Sequence, residues 1–308
     1  MGMSHPQTLV GFMEMYPTQD ACRRALFEQR WREGFRCPRC AHEVAWYLRG
    51  RGLYECAGCG YQASVTAGTL FHKTRTDLRK WLLAIWLLAS MKKPPSAAEL
   101  ARQLGVTGKT AWLLRRKITH AMRRGEHELL LRGVVELDES LVGGRDRGSG
   151  KRGRTSRRKT LVAVSAEQTP RGGLGRAHLR VIDNVSAKTL SNAAGAMIEP
   201  GSTVKTDGWR AYRSLPNAGY GHEPHVQATP QAAGELLPWV HIVISNFKRW
   251  QLDVFHGVSA AHLQSYLDEF CYRLNRRDAR DDLFRRILNR CILYTPPTTH
   301  SQLIARAA

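Results

Sequence analysis

Apolar positions along this chain keep a helical period in the first third and switch to strand alternation near the middle. The stretch WLLAIWLLASM, Trp81 to Met91, is apolar on all sides. It falls short of the roughly 20 residues that span a bilayer, so it reads as a buried helix. Its polar start, TRTDLRK, lets Thr76 cap it. In PPSAAELARQLGVTGKTAWLLRRKITHAM, Ser96 and Glu99 form a capping box after two prolines. Leu100 and Leu104 face one side, Gly105 ends the helix and Thr107 caps the next. That second helix gathers Ala111, Leu114, Ile118 and Met122 on one face. Farther on, VVELDES alternates as a strand does, and KTLVAVSAE and AHLRVID read as further strands. SAKTLSNAAGAMI reads as a helix, STVKTDGWRAY as a strand ending at Asp207, and LLPWVHIVISNFKRWQLDVF as a helix. Strands, helix and strand in this order predict a mixed α/β sheet.

Composition changes the picture through charge alone. Of 308 residues, 43% are hydrophobic, an ordinary share for a soluble chain. Lys plus Arg number 47 against 26 Asp plus Glu, a formal +21. That excess points to a polyanionic partner, most simply nucleic acid. The start, MGMSHPQTLVGF, lacks a charged head followed by an apolar run, so no signal peptide is expected. With no spanning helix expected either, the sequence predicts no membrane partner and a cytoplasmic, nucleoid-associated protein.

Four of the seven cysteines form two tight pairs, Cys37 with Cys40 and Cys56 with Cys59, fifteen residues apart. This is the spacing of a four-thiolate zinc site rather than a disulfide framework. EVAWYLRG and GLYECAG between and around the pairs read as a hairpin turning at residues 49–52, so the expectation is a structural zinc ribbon. The helix pair that follows has the short glycine-containing turn of a helix-turn-helix. Lys109, Thr110, Arg115, Arg116 and Lys117 on its second helix are the expected DNA contacts.

Asp138, expected near a strand end, and Asp207 lie 69 positions apart in similar contexts. Carboxylates at neighbouring strand ends can share divalent metals, and two metals can assist phosphodiester chemistry. A lone aspartate there is more often a turn cap; the pair in a basic chain favours metal. Between them LVGGRDRGSGKRGRTSRRKT reads as a loop whose basic residues can lie along phosphates.

Taken together, the two CxxC pairs, VELDESLVGG, KTDGWRAY, HIVISNFKRW, FHGVS and HLQSYLDEFCYRLNRR resemble the zinc-ribbon insertion-sequence transposases, the fifteen-ninety-five group with an ISXO-two-like DDE domain. The resemblance runs from about Thr18 to Leu293. It implies an α/β fold: a ribonuclease-H-like mixed-sheet core preceded by a zinc ribbon and a helix-turn-helix. The expected spans are 18–72 for the ribbon, 76–128 for the helix-turn-helix and 131–295 for the catalytic domain. It further implies magnesium- or manganese-dependent cutting at terminal inverted repeats, transfer of the 3′ hydroxyl to target DNA, and a homo-oligomer on DNA.

By resemblance, Asp138 and Asp207 are the first two metal ligands. The third falls on Asn246, where some subgroups carry asparagine with a nearby lysine, here Lys248. An amide oxygen can bind a hard cation but cannot act as a general base. Residues two apart on a helix point to different sides, which opposes a shared role for Asn246 and Lys248. Glu269 is the second candidate for the third ligand, and Asp253 stands behind it. His256 is a candidate phosphate contact. Asn275, Arg276 and Arg277 are expected to clamp backbone or pair with Asp268 and Glu269. The alternative functions are a DNA-binding protein without catalysis, such as a decayed transposase or regulator, and a nuclease or junction resolvase on the same fold.

Overall fold

The computed structural model describes residues 6–124, 129–143, 159–225, 236–255 and 260–304. His256 and most of the arginine-rich loop lie outside the described residues. The chain divides into two compact units: Met1–Arg124 with Asp278–Ala305, and Gly125–Arg277 with the last three residues. Ribbon and helix-turn-helix therefore share one unit. The segment from Asp278 belongs with them and not with the expected catalytic span to residue 295.

In the first unit, helices α1 (Leu9–Met15) and α2 (Gln19–Arg30) precede a three-stranded antiparallel sheet of β1 (Ala45–Leu48), β2 (Leu53–Cys56) and β3 (Gln62–Ala63). The hairpin of β1 and β2 is the expected one; β3 is too short to leave a pattern in the sequence. Phe27 of α2 stacks on Tyr54 of β2 at 4.2 Å between ring centroids. Helix α3 (Leu78–Ser90) buries Trp81, Leu82, Ile85, Trp86 and Leu88, as an all-apolar helix must. Its cap is Asp77, not Thr76: the carboxylate accepts from the Arg79 N–H at 2.7 Å. A negative charge there also complements the helix N-terminus.

Helices α4 (Ala97–Leu104) and α5 (Gly108–Arg123) follow the sequence closely. Ser96 accepts from the Glu99 N–H, Gly105 takes φ 58° at the C-cap, and Thr107 accepts from the Thr110 N–H. After the three helices of the second unit, the chain returns to the first with α9 (Leu283–Asn289) and α10 (His300–Ile304). Leu70 N–H donates to the Cys291 carbonyl, and the Arg290 guanidinium donates to the Met122 carbonyl at 2.7 Å.

The second unit is built on a five-stranded sheet. Its strands are β4 (Val134–Gly143), β5 (Lys159–Gln168), β6 (Leu174–Ile182), β7 (Thr203–Thr206) and β8 (Gly221–Pro224), in the order β6-β5-β4-β7-β8. β5 runs antiparallel to β4 and β6, while β7 is parallel to β4 and β8 to β7. This order and direction pattern is ribonuclease-H-like, as expected. Helix α6 (Ala187–Met197) packs on one face with Leu137, Ala163, Val204 and Tyr212. Helices α7 (Pro238–Phe255) and α8 (Leu263–Leu274) pack on the other, with Val162, Val164, Leu179, Val243 and Phe247 between.

The outer edge of β6 is closed by side chains rather than by another strand. Asn275 bonds both the N–H and the carbonyl of Ala177, and Gln264 bonds the Val181 N–H and the Leu179 carbonyl. Arg277 donates to the Gly175 carbonyl at 2.9 Å. The expected backbone clamps are thus Asn275 and Arg277, and they blunt an edge that would otherwise invite pairing. Arg276 lies over the Tyr272 ring at 4.0 Å.

Candidate active site and zinc ribbon

The four cysteine sulfurs all lie within 4.8 Å of one another. Cys37 Sγ stands 3.7 Å from Cys59 Sγ, and Cys40 Sγ 3.5 Å from Cys56 Sγ. Four thiolates at about 2.3 Å from zinc lie about 3.8 Å apart, so the cluster fits a closed tetrahedral ion. The two knuckles are twins in hydrogen bonding. Cys37 N–H donates to the His42 carbonyl and Ala41 N–H to the Cys37 carbonyl; Cys56, Tyr61 and Gly60 repeat the pattern. Ala41 (φ 61°) occupies the left-handed position that Gly60 (φ 67°) fills in the second knuckle. Burial opposes ionisation of Cys37, but N–H groups of Cys40 and Arg39 outweigh it and draw the thiol down to about 6. That favours the thiolate a metal needs.

The second site rests on the pairing of β4 with β7. Parallel register matches Val134 with Thr203, Val135 with Val204 and Glu136 with Lys205. Asp138 stands two residues beyond Glu136, and Asp207 two beyond Lys205. The same register therefore brings the two aspartates to one level, where the parallel ladder stops. Asp138 was expected near a strand end, but β4 continues past it against β5 to Gly143. What ends just before its level is the partner strand, β7 at Thr206, at the carboxyl side of the parallel strands. Asp138 Oδ1 accepts from the Glu139 N–H at 2.8 Å, and Asp207 Oδ1 from the Trp209 N–H at 3.0 Å. Gly208 makes the turn between at φ 80°. Hard carboxylate oxygens suit magnesium or manganese.

Tyr212 marks the same place from the other face. Its hydroxyl donates to Glu139 Oε2 at 2.6 Å. Burial raises its pKa far above the ordinary value, and the charges of Glu139, Asp138 and Asp207 raise it further. Three carboxylates thus act on one buried hydroxyl. Behind Asp207, Thr206 Oγ1 meets His222 Nε2 at 3.0 Å.

Helix α7 is anchored on β4 by Glu136. Its buried carboxylate accepts from the N–H groups of Trp239 and Val240 at 2.8 and 2.9 Å, capping the helix start. Burial raises the Glu136 pKa in spite of these bonds, which oppose it. Lys248 Nζ donates to Ser140 Oγ at 3.0 Å, two residues along β4 from Asp138 and on the same strand face. Burial, then Lys159, lowers its pKa.

Asn246 is exposed and sits roughly 200° around the helix from Lys248. It shares its flank with Trp250, one turn on. Trp250 packs on Phe270 of α8 with ring centroids 5.8 Å apart. Helix α8 lies along β6, so this flank faces away from β7. The structure brings Lys248 to the β4 side and leaves Asn246, with Asp253 one face-repeat later, on the other. Glu269 is also not brought there: it is fully buried on α8, and β5 separates β6 from β4. Among the described residues, no third carboxylate or histidine joins the two aspartates in a metal-sized cluster.

On α5 the expected DNA contacts divide. Lys109 is exposed and Thr110 half-exposed. Arg115 is 3% exposed, and its Nε donates to the Pro95 carbonyl at 3.1 Å, so it cannot offer a DNA-facing surface. Arg116 donates to the Leu303 carbonyl at 2.8 Å and lies over Trp112. Lys117 reaches the Leu70 carbonyl at 3.4 Å. These cations hold backbone carbonyls, of Pro95 and Leu70 before the helix and of Leu303 in the returning chain, rather than standing clear in solvent. The residues that sequence reading missed are Glu136, Glu139, Tyr212 and His222. Glu136 and Glu139 lie inside the motif VELDES and Tyr212 inside KTDGWRAY; His222 lies in neither.

Fold and ribbon together fit a zinc-ribbon transposase. Residues 130–275 match the ISXO2-like transposase domain, and residues 17–62 match the transposase zinc-ribbon domain. The chain belongs to this family. It is 29% identical over 206 residues to an uncharacterized protein in the transposable element ISH50 of Halobacterium salinarum, covering 62% of this chain and 67% of that one. A pre-cleavage Mos1 transpososome overlaps it with a TM-score of 0.28 at 14% identity, over 68% of this chain and 78% of that one. A Mos1 mariner paired-end complex with Mn gives 0.27 at 16%, over 70% and 78%. Both overlaps are weak; the strand order defines the fold. No helix among the described residues is long and apolar enough to cross a membrane.

Proposed function

We propose that this chain is an active DNA transposase that cuts insertion-sequence ends at terminal inverted repeats and transfers the freed 3′ hydroxyl to target DNA, as a homo-oligomer. The observation that supports the chemistry is the β4–β7 register, whose last pair, Glu136 with Lys205, stands two residues before Asp138 and two before Asp207. Divalent magnesium or manganese, held by these two carboxylates, would supply activation of the attacking oxygen and charge stabilisation at the leaving one. Lys248, held at Ser140 on the Asp138 face of β4, meets the charge of the scissile phosphate. With Asn246 on the far flank, the charged work falls to the two aspartates and the lysine. The ribbon and the α4–α5 pair recognise the ends, with Lys109 and Thr110 as contacts.

The test is cleavage of duplexes made from DNA flanking the gene, with magnesium. Asp138→Ala and Asp207→Ala lose cleavage and keep binding; full activity in either variant overturns the assignment. A non-catalytic DNA-binding role is the outcome if the wild type binds the ends and never cuts, with manganese as well as with magnesium.

A further inference from the structure

Asp207 follows directly on Thr206, the last residue of β7 paired with β8, and lies beyond the end of the pairing with β4. The β4–β7 ladder ends at Glu136 and Lys205, and after Thr206 the chain turns at Gly208 into a short 3-10 segment, Arg210–Ser214. That segment returns to β4 through the side chain of Tyr212. Tyr212, fully buried among Leu137, Leu190 and Leu215, donates its hydroxyl to Glu139, the residue next to Asp138. At 2.6 Å the bond has the length of a charge-assisted O–H···O⁻ contact. Ser214 Oγ, bonded to Ser191 Oγ at 3.0 Å, pins the same segment to α6.

We propose that Tyr212 and Glu139 are positioning residues that fix the spacing of the Asp207 turn from Asp138, and so set the affinity of the pair for a divalent ion. Glu139 alternates to the opposite sheet face from Asp138, so it acts through Tyr212 and not as a ligand. The inference rests on the paired-carboxylate reading above.

The experiment measures Mn2+ binding to the full chain by electron paramagnetic resonance, without DNA, alongside melting temperature and the magnesium dependence of cleavage. Tyr212→Phe keeps the ring and removes the bond. Its Mn2+ Kd rises about tenfold, as loss of a hydrogen bond to a charged group predicts, with DNA binding kept. Glu139→Gln keeps an acceptor for the tyrosine and weakens binding less than Glu139→Ala. The effects of Tyr212→Phe and Glu139→Ala are not additive in the double variant. A folded Tyr212→Phe protein with a lower melting temperature and unchanged Mn2+ affinity overturns the proposal and leaves a merely structural bond. If Tyr212→Phe does not fold, the Glu139 pair decides: equal affinities for Gln and Ala overturn it. Asp207→Ala separates the two readings. Loss of Mn2+ binding there with no change in Tyr212→Phe refutes only the positioning role; retained binding refutes the metal site and the positioning role together.

Discussion

Replacing Lys248 by methionine and, separately, Asn246 by alanine tests which flank of α7 faces the chemistry. Methionine keeps most of the lysine stem and removes the ammonium. A hydrogen bond to a charged group is worth about 1.5–3 kcal/mol. In the transition state that is about 10- to 150-fold in rate. The lower half of that range applies, because Nζ already has a neutral partner in Ser140 and its side chain is partly exposed. Asn246 is exposed on the flank of Trp250, where a substitution changes free energy by about 0.5 kcal/mol or less. That is at most about 2.5-fold. The assay is single-turnover cleavage of an end duplex at saturating magnesium, with DNA affinity measured in parallel. Lys248→Met loses at least tenfold in rate and Asn246→Ala stays within threefold. The reverse order, with Asn246→Ala losing a hundredfold and Lys248→Met near wild type, refutes the placement of α7 and restores the asparagine as third ligand.

Chelating the ribbon metal, or Cys56→Ser, abolishes cooperative melting of the Met1–Arg124 unit, read by circular dichroism with and without zinc. Gly60→Ala lowers stability by about 1 kcal/mol because of its positive φ, since nothing lies within 4 Å of the added Cβ, while Ala41→Gly is neutral or stabilising by up to about 1 kcal/mol; denaturant melts compare them. Burial holds His222 below its ordinary value of 6.5, and burial followed by nearby arginines does the same to His120. Each binds its proton more weakly folded than unfolded, so stability is full above about pH 6.5 and is lost as pH falls toward the lower folded values. His222→Gln flattens that loss in melts between pH 8 and 5.

Elements that depend on local signals were legible in the sequence. Ser96, Gly105 and Thr107 cap and end their helices as their chemistry requires, and the cysteine spacing closes one tetrahedron. Strand register is linear, so the two aspartates each stand two residues beyond a paired position, Glu136 and Lys205. Spacing fails on a helix. Counting from Asp207 finds α7, but a shift of two residues swings a side chain by roughly 200°, from Ser140 to the Trp250 flank. Glu269 is illegible for another reason. A carboxylate in a strong helix reads the same whether it is exposed at a site or, as here, fully buried. The cap at Asp77 shows the same limit at close range, since Thr76 and Asp77 are both good caps and only the backbone path chooses.

The basic excess needs the same discrimination, because a cation in the sequence is not yet a cation for DNA. Arg30 donates to the carbonyls of Ser64 and Val65, Arg115 to Pro95, Arg116 to Leu303 and Arg290 to Met122 in the first unit. Arg277 and Arg176 do so in the second, to Gly175 and to Leu130. Guanidinium is well made for this role, since it offers five donors in a planar fork, enough to satisfy several orphan carbonyls at once. Backbone that returns without a helix or ladder must find donors somewhere, and this chain finds them in arginine. The formal +21 therefore overstates what DNA meets, and α5 shows by how much locally. Of its five expected contacts, Arg115, Arg116 and Lys117 are engaged inside the protein, and Lys109 and Thr110 remain toward solvent. Charge identifies the class of partner, and burial and hydrogen bonding decide which residues can touch it.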